Sequence, residues 1–510
     1  MPDVSSIARP HALVIGAGLG GLAAAVRLGA RGYRVTVVEK LDKPGGRAYV
    51  LKKDGFTFDC GPTIVTAPYL FEELWALCGK RLADDVTLVP MDPFYKIRFD
   101  DGAVFTYSGD EDRMRAEVQR FCPADVAGFD RFMKVSARIY KTAFEELADQ
   151  PFHSLAFTVG RLVEMVTLGG HRTVYSTVCR YFKDPQLRVA FSFHPLLIGG
   201  NPLSATAYYC LIAHLEKTHG VHYAMGGTGS LINGLAGLID GLGGSIRYDT
   251  TVSRIQVKDG RATGVVLEGG EELAADIVVS NADSAWTYKH LLADHKRRRW
   301  SDRKLDSRSY SMGLFVWYFG TKRKFEDVEH HTMVLGPRYE ELLTDIFARH
   351  ILADDCSLYL HRPTATDPDL APEGCDSFYV LSPVPNLRSG TDWAAEGERY
   401  RKLIEKRLED TVMPGLSEAL VTSEIMTPQD FRDRLLSEQG AAFSLEPTLF
   451  QSAWFRPHNL SEEVENLFLV GAGSHPGAGM PGVLSSARVI DKLVPDADSL
   501  TTVGRTSGDA

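Results

Sequence analysis

Residues Leu13-Val14-Ile15-Gly16-Ala17-Gly18-Leu19-Gly20-Gly21-Leu22 run from an apolar stretch through a glycine turn into an alanine-rich segment, Leu22 to Gly29. This G-x-G-x-x-G pattern constrains the fold more than any other feature. In a βαβ unit Gly16 permits the tight turn, Gly18 lets the backbone approach a diphosphate, and Gly21 lets the helix lie against the strand. The helix then points its free N–H groups at the phosphates. A second apolar run, Val35-Thr36-Val37-Val38, ends at Glu39, 18 residues past Gly21. A carboxylate there accepts a ribose hydroxyl and repels a 2′-phosphate. Lys40 beside it joins the cofactor-binding candidates. The order strand, turn, helix, acid-ended strand separates this motif from chance glycine turns in a chain with 47 glycines.

Two further segments extend the pattern. Pro44-Gly45-Gly46-Arg47 follows the acid, and by itself reads as a type II turn carrying an exposed arginine. Near the other end, Leu467-Phe468-Leu469-Val470-Gly471-Ala472-Gly473 is a second strand-to-glycine turn, leading into Gly477-Ala478-Gly479-Met480-Pro481-Gly482-Val483. With these residues the chain resembles flavoproteins of the amine oxidase kind. The resemblance implies that Gly46 and Arg47 sit at an FAD diphosphate. It also implies that Gly471, Gly473, Gly479, Pro481, Gly482 and Val483 bring a helix N-terminus to the isoalloxazine and ribityl chain. Val252, in the segment Thr251 to Val257, would meet the adenine through its backbone.

Four intervening motifs narrow the resemblance. Gly55-Phe56-Thr57-Phe58-Asp59-Cys60-Gly61-Pro62-Thr63, Gly226-Gly227-Thr228-Gly229-Ser230-Leu231, Val279-Ser280-Asn281-Ala282-Asp283 and Ser452-Ala453-Trp454-Phe455-Arg456-Pro457 are similar to the bacterial carotenoid desaturases of the phytoene desaturase type. The match runs from about residue 11 to 493, and the run Pro476 to Gly482 beside Gly473 is its most specific part. It implies FAD-dependent introduction of C=C bonds into 15-cis-phytoene toward neurosporene or lycopene. It also implies a lipophilic carotene substrate arriving from a membrane surface, and a peripheral location on the cytoplasmic side of the cell membrane. The chemistry so implied is hydride transfer to the flavin, delocalisation of a transient cation, and loss of a proton from the neighbouring carbon. A dry tunnel would keep nucleophiles away from that cation.

Candidate tunnel residues are Phe191, Phe193, Tyr208, Tyr209, Phe315, Trp317, Phe319, Trp454 and Phe455. The spacing of two among Phe315, Trp317 and Phe319 equally fits one strand face in a core. His194 and His475 are the candidate proton handlers, His475 standing next to the second glycine turn. Three other functions share parts of the pattern: a carotene isomerase, another flavin oxidase of the amine oxidase superfamily, and a non-redox prenyl-binding module.

The expected class is α/β: a discontinuous Rossmann-type FAD-binding domain, a second sheet-based substrate domain and a helical membrane-facing subdomain. The FAD-binding parts are 11–80, 226–300 and 456–494; the substrate domain takes 81–130 and 301–455. The helical membrane or lid subdomain is 131–225, and 495–510 reads as a disordered tail. A net charge of −10 argues against a general nucleic-acid binder. Seven dispersed cysteines without C-x-x-C spacing suggest no disulfide framework, no metal site and a reducing compartment. The sequence shows neither a signal peptide over Met1 to Pro10 nor an apolar run long enough to span a bilayer. Residues Pro151 to Gly170, carrying Phe157 and Leu162 among other apolar side chains, read either as an interfacial helix at a tunnel mouth or as a buried domain helix. The basic cluster Lys296-Arg297-Arg298-Arg299 beside Trp300 reads as a solvated helix face or a lipid contact. No motif speaks to oligomeric state, step number or electron acceptor.

Overall fold

The structure, a computed structural model, describes residues 9–500, apart from the side chains of 162–165. Residues 1–8, the part of the expected tail beyond 500, and the side chains of Leu162, Val163, Glu164 and Met165 therefore lie outside the described residues. Residues 495–500, expected as disordered, are instead tied down, with Arg31 and Tyr33 donating to the Pro495 carbonyl at 3.2 and 2.8 Å.

The strand His11–Ile15 is buried along its whole length, as a continuous apolar run between two helix layers must be. It is the middle strand of a five-stranded sheet ordered Leu467–Leu469, Ile277–Ser280, His11–Ile15, Arg34–Val38, Ser245–Arg247. All pairings are parallel, with Val14 opposite both Val37 and Val279. Strands from three distant stretches thus form one sheet. The helix Leu19–Ala30 starts as soon as the turn ends and packs against Thr228–Gly241 and Met480–Asp491. Its small residues permit that approach: a Cβ on Gly21 would overlap the Gly16 carbonyl oxygen.

Val252–Lys258, Arg261–Leu267 and Glu272–Ala274 form a small antiparallel sheet. Its first turn, Asp259-Gly260, takes positive φ at both residues (52° and 79°), the geometry of a tight hairpin.

The larger sheet has seven strands in the order Leu420–Met426, Gly313–Thr321, Asp376–Val384, Leu358–His361, His331–Val334, Tyr95–Arg98, Val104–Tyr107. Gly313–Thr321 is buried on both faces. Strand alternation decides what each face meets. Phe315, Trp317 and Phe319 face the helix Trp393–Thr411, with the Phe315 ring 5.1 Å from Tyr400. Leu314 and Val316 face the opposite way, into a cavity. Helices from 111 to 219 close that cavity from the other side.

The packing answers both readings of the basic cluster: residues 296–299 form no helix face, and Trp300 takes no part in a lipid contact. Trp300 is fully buried, its indole N–H donating to Glu462 at 3.0 Å, so it cannot sit at an interface. The backbone N–H groups of Arg298 and Arg299 donate to Glu463, and the Arg297 guanidinium bonds Asp302 at 3.0 Å. The cluster is a tie to the 462–463 loop. In the segment 151–170, the helix Leu155–Thr167 exposes Leu155, Val159 and Val166, whereas Phe157 is half-buried, 5.2 Å from the Phe152 ring. Among the described residues no helix is long and apolar enough to cross a membrane.

Gly21→Ala inserts a methyl group where the helix meets the strand. It should cost about 1–3 kcal/mol of stability by overpacking. Denaturant unfolding should show the loss, and a wild-type midpoint would mean that the helix can slide without penalty.

Candidate functional site

One cavity runs from the two glycine turns into the space between the seven-stranded sheet and the helices. At the first end, Asn281 follows the strand Ile277–Ser280 and its amide N–H donates to the Ile15 carbonyl at 2.9 Å. Its side chain occupies the space that side chains on Gly18, Gly20 and Gly471 would need, within 2.7–2.8 Å of each Cβ position. Gly18 and Gly479 cap the helices Leu19–Ala30 and Met480–Asp491, and neither helix has a side-chain cap. Both N-termini line the cavity with unsatisfied N–H groups, an arrangement suited to anionic phosphate.

Glu39 is buried and accepts N–H bonds from Ala17 at 2.6 Å and Leu41 at 2.9 Å. Burial pushes its carboxyl up from the ordinary range, and those amides pull it back. Arg47 follows Gly45 and Gly46, both at positive φ (128° and 55°), and donates to Ser437 Oγ at 2.7 Å. Its Nε is buried without a partner, as is one carboxylate oxygen of Asp283. Burial lowers the guanidinium and raises the Asp283 carboxyl, while each opposes the other's shift through its charge. Lys40 lines the groove and donates to the Asp433 carbonyl at 2.9 Å.

The second end is apolar. Leu314, Val316, Met333 and Leu381 come from the sheet; Leu211 and Leu215 come from the facing helix Leu211–His219. Polar side chains interrupt it, among them Thr63, Tyr359, Tyr379 and Glu216. Glu216 is fully buried and accepts the Tyr95 hydroxyl at 2.7 Å.

The cavity brings together Gly16, Gly18, Glu39, Lys40, Gly46, Arg47, Val252, Gly471, Gly479, Pro481, Gly482 and Val483. Gly21 and Gly473 lie outside its lining. Gly473 leaves room for Ser284, whose Oγ a Cβ there would overlap. Phe193, Tyr208, Tyr209 and His475 also line the cavity. Phe191 does not: it stacks on Phe182 at 4.5 Å within an aromatic core. Phe315, Trp317 and Phe319 stand behind the sheet, on its helix-facing side. Trp454, under the Arg299 guanidinium at 4.4 Å, and Phe455, 39% exposed, are not in the cavity lining.

His194 is corrected likewise. Its ring stacks on Phe193 at 4.2 Å and its Nε2 stands 3.3 Å from Glu216, one layer behind the cavity wall. His475 is in the wall, 4.7 Å from the Phe152 ring, with Nε2 3.3 Å from the Leu147 carbonyl. Burial pushes it down to about 4. At neutral pH it is therefore uncharged and cannot serve as an imidazolium acid. Sequence reasoning missed Asn281, Asp283 and Arg456 as site residues. The buried Arg456 donates to the Leu445 carbonyl at 3.0 Å and the Ala472 carbonyl at 2.8 Å, holding the second turn in place. The signal for all three was present in the motifs 279–283 and 452–457.

Comparisons with known proteins agree with this geometry. Residues 19–489 match the profile of the flavin containing amine oxidoreductases. A neurosporene-forming phytoene desaturase of Rhodobacter capsulatus is 52% identical over 493 residues, covering 96% of this chain and 94% of that protein. A lycopene-forming phytoene desaturase of Pantoea ananas is 47% identical, covering 94% of this chain and 98% of its own. The fold is shared with putrescine oxidase at 14% identity and a TM-score of 0.61, covering 96% of this chain and 99% of that one.

Asp59, beside the cavity-lining segment 60–64, supplies a pH test. Burial pushes its carboxyl up to about 7, although Thr228 and Gly229 N–H groups oppose the shift. A raised folded pKa means a contribution that is full below the unfolded value near 4 and lost as pH rises through about 7. Asp59→Asn should therefore flatten the decline in unfolding free energy between those limits. An identical decline in the variant would assign it to other groups.

Proposed function

Since the chain belongs to the flavin-containing amine oxidoreductase family, we infer that it is an FAD-dependent phytoene desaturase of carotenoid biosynthesis. The observation that carries this reading is the continuity of a phosphate-suited groove with an apolar cavity. FAD fits the groove residue by residue. Glu39 would take the ribose hydroxyls and Val252 the adenine; the Leu19–Ala30 N-terminus and Arg47 Nε would take the diphosphate. The Met480–Asp491 N-terminus would meet the ribityl chain and ring. Bound FAD supplies the acceptor for a hydride leaving an allylic carbon.

The protein's own part is orientation and exclusion. Leu314, Val316, Met333 and Leu381 give a hydrocarbon an apolar surface over most of the sheet, so it aligns there by shape, and water has few partners. The Asp283 charge raises the Arg47 guanidinium against the lowering that burial imposes. Phytoene in liposomes, incubated with FAD-loaded protein, should yield products with longer-wavelength absorption and a mass lower by two hydrogens per new double bond. Unchanged mass with altered absorption would mean isomerisation, and a colourless protein without flavin would remove the redox reading.

The substrate dictates where the enzyme works. Moving a forty-carbon hydrocarbon through water costs on the order of 30 kcal/mol, at about 0.8 kcal/mol per carbon. The helix Leu155–Thr167 is flanked by Phe152 and Leu168, both in the cavity wall, while its Leu155, Val159 and Val166 face solvent. This supports a peripheral association of that face with the bilayer. Seven free cysteines support the cytoplasmic side. Replacing Leu155 and Val159 by Glu should abolish co-sedimentation with liposomes and leave flavin content intact. Full sedimentation of the double variant would move the contact elsewhere.

A further inference from the structure

The cavity face of the seven-stranded sheet is apolar along most of its length and polar at one end. Strand register places His331 opposite His361, and His361 opposite Tyr379, with Tyr359 two residues from His361 on the same face. Thr63, Tyr359 and Tyr379 line the cavity. Thr63 Oγ1 stands 2.9 Å from the Tyr379 hydroxyl and 3.4 Å from that of Tyr359. The Tyr359 hydroxyl meets His331 Nδ1 at 2.7 Å. Behind them His361 Nε2 and His330 Nε2 are 3.1 Å apart, and His330 Nδ1 meets Thr366 Oγ1 at 2.7 Å. Tyr359 and the three histidines are buried, whereas Thr366 is partly open to solvent. Thr63 belongs to the segment that begins at Gly61, which packs directly on the Arg47 carbonyl, so the polar end adjoins the cofactor groove.

Each desaturation releases a proton into a cavity whose other walls are mostly hydrocarbon. We propose that Tyr359, His331, His361 and His330 form the relay by which that proton leaves for solvent at Thr366, with Thr63 and Tyr379 holding its first hydroxyl. The proposal rests on the desaturase reading. Its directions are consistent throughout. With the Tyr359 O–H donating to His331 Nδ1, His331 carries its hydrogen on Nε2. With His361 Nε2–H donating to His330 Nε2, His330 donates through Nδ1–H to Thr366. The two ring nitrogens then open, His331 Nε2 and His361 Nδ1, are a donor and an acceptor. Their rings are stacked with centroids 5.3 Å apart, and in the proposed relay one water would bridge the two nitrogens.

The step balances. Once hydride has left the allylic carbon, the neighbouring C–H bond breaks and its electron pair completes the C=C bond. The proton joins the Tyr359 oxygen as that hydroxyl's own proton passes to His331 Nδ1, and one proton emerges at Thr366. Burial pushes His330 down to about 3 and holds His331 and His361 well below the ordinary range. The rings therefore stay neutral and pass protons in concert without storing them. One nitrogen from each of the three histidines lies within 4.8 Å of the others, a spacing that also suits a metal ion. A dication there would have three neutral ligands, and the nearby buried carboxylate, Asp376, is already taken by Arg362 at 2.9 Å.

The test uses the FAD-loaded wild type and its Tyr359→Phe and His361→Gln variants, with phytoene in liposomes, in H2O and in D2O. The carbon-bound hydrogens of phytoene do not exchange, so a solvent isotope effect on single-turnover product formation reports the relay. The wild type should show one. Both variants should form product about a hundred-fold more slowly and lose the effect, with flavin content and thermal midpoint unchanged. An absent effect in the wild type, or a variant that keeps wild-type rate and effect, overturns the relay. So does slowing with the effect intact, since that is the mark of a structural role. Stoichiometric metal in the purified holoenzyme, lost in His361→Gln, overturns it in favour of a metal centre. A wild type that converts no phytoene fails the desaturase reading itself.

Discussion

Three glycines, two near the N-terminus and one near the C-terminus, make room for a single side chain. Asn281 lies within 2.7–2.8 Å of where Cβ atoms on Gly18, Gly20 and Gly471 would stand, and its amide is tied to the end of the first strand. That wedge holds the strand ends His11–Ile15 and Leu467–Leu469 around one point, and both uncapped helix N-termini open onto the groove beside it. A βαβ unit alone would supply one of those N-termini. The second comes more than 450 residues later in the chain, and its placement relies on Asn281 and on Arg456, which clamps the Ala472 carbonyl.

From that point outward the architecture converts polarity into position. Charged and dipolar groups gather where the glycines leave backbone exposed: Glu39 on the Ala17 and Leu41 amides, Arg47 facing Asp283. The segment 60–63 then carries the chain from the Arg47 carbonyl to the sheet, whose alternation turns Leu314 and Val316 inward. The cofactor groove and the hydrocarbon cavity are thus two ends of one space. Polar groups that enter its apolar end are tied by hydrogen bonds, as in Thr63 with Tyr379 and Glu216 Oε1 with Tyr95, while Glu216 Oε2 stays without a hydrogen-bond partner.

What could be read from the sequence was what local stereochemistry determines. The glycine fingerprint and the acid-ended strand depend on neighbours within a few residues, and each occurs where the pattern puts it. The resemblance supplied the family. Facing was not legible. The spacing of Phe315, Trp317 and Phe319 shows that they share a face, yet which face meets the cavity depends on the Trp393–Thr411 helix, some 75 residues further on. Phe191 and His194 fell outside for the same reason, since their partners Phe182 and Glu216 are fixed by helix packing. Trp300 reads as an interfacial aromatic until Glu462 is seen to take its N–H. The buried histidines His331 and His361 come from two strands about 30 residues apart, His330 precedes the first of them, and none carries a motif.

The central claim is that electrons pass from a hydrocarbon in the apolar cavity to a flavin in the adjoining groove. Anaerobic mixing of the FAD-loaded protein with phytoene-bearing liposomes, followed at the visible flavin band, tests it directly. The band should bleach with a stoichiometry of one flavin per double bond formed, and reappear when an electron acceptor is admitted. A band that stays oxidised while phytoene is consumed, or that bleaches without any change in the hydrocarbon's mass, would contradict the account.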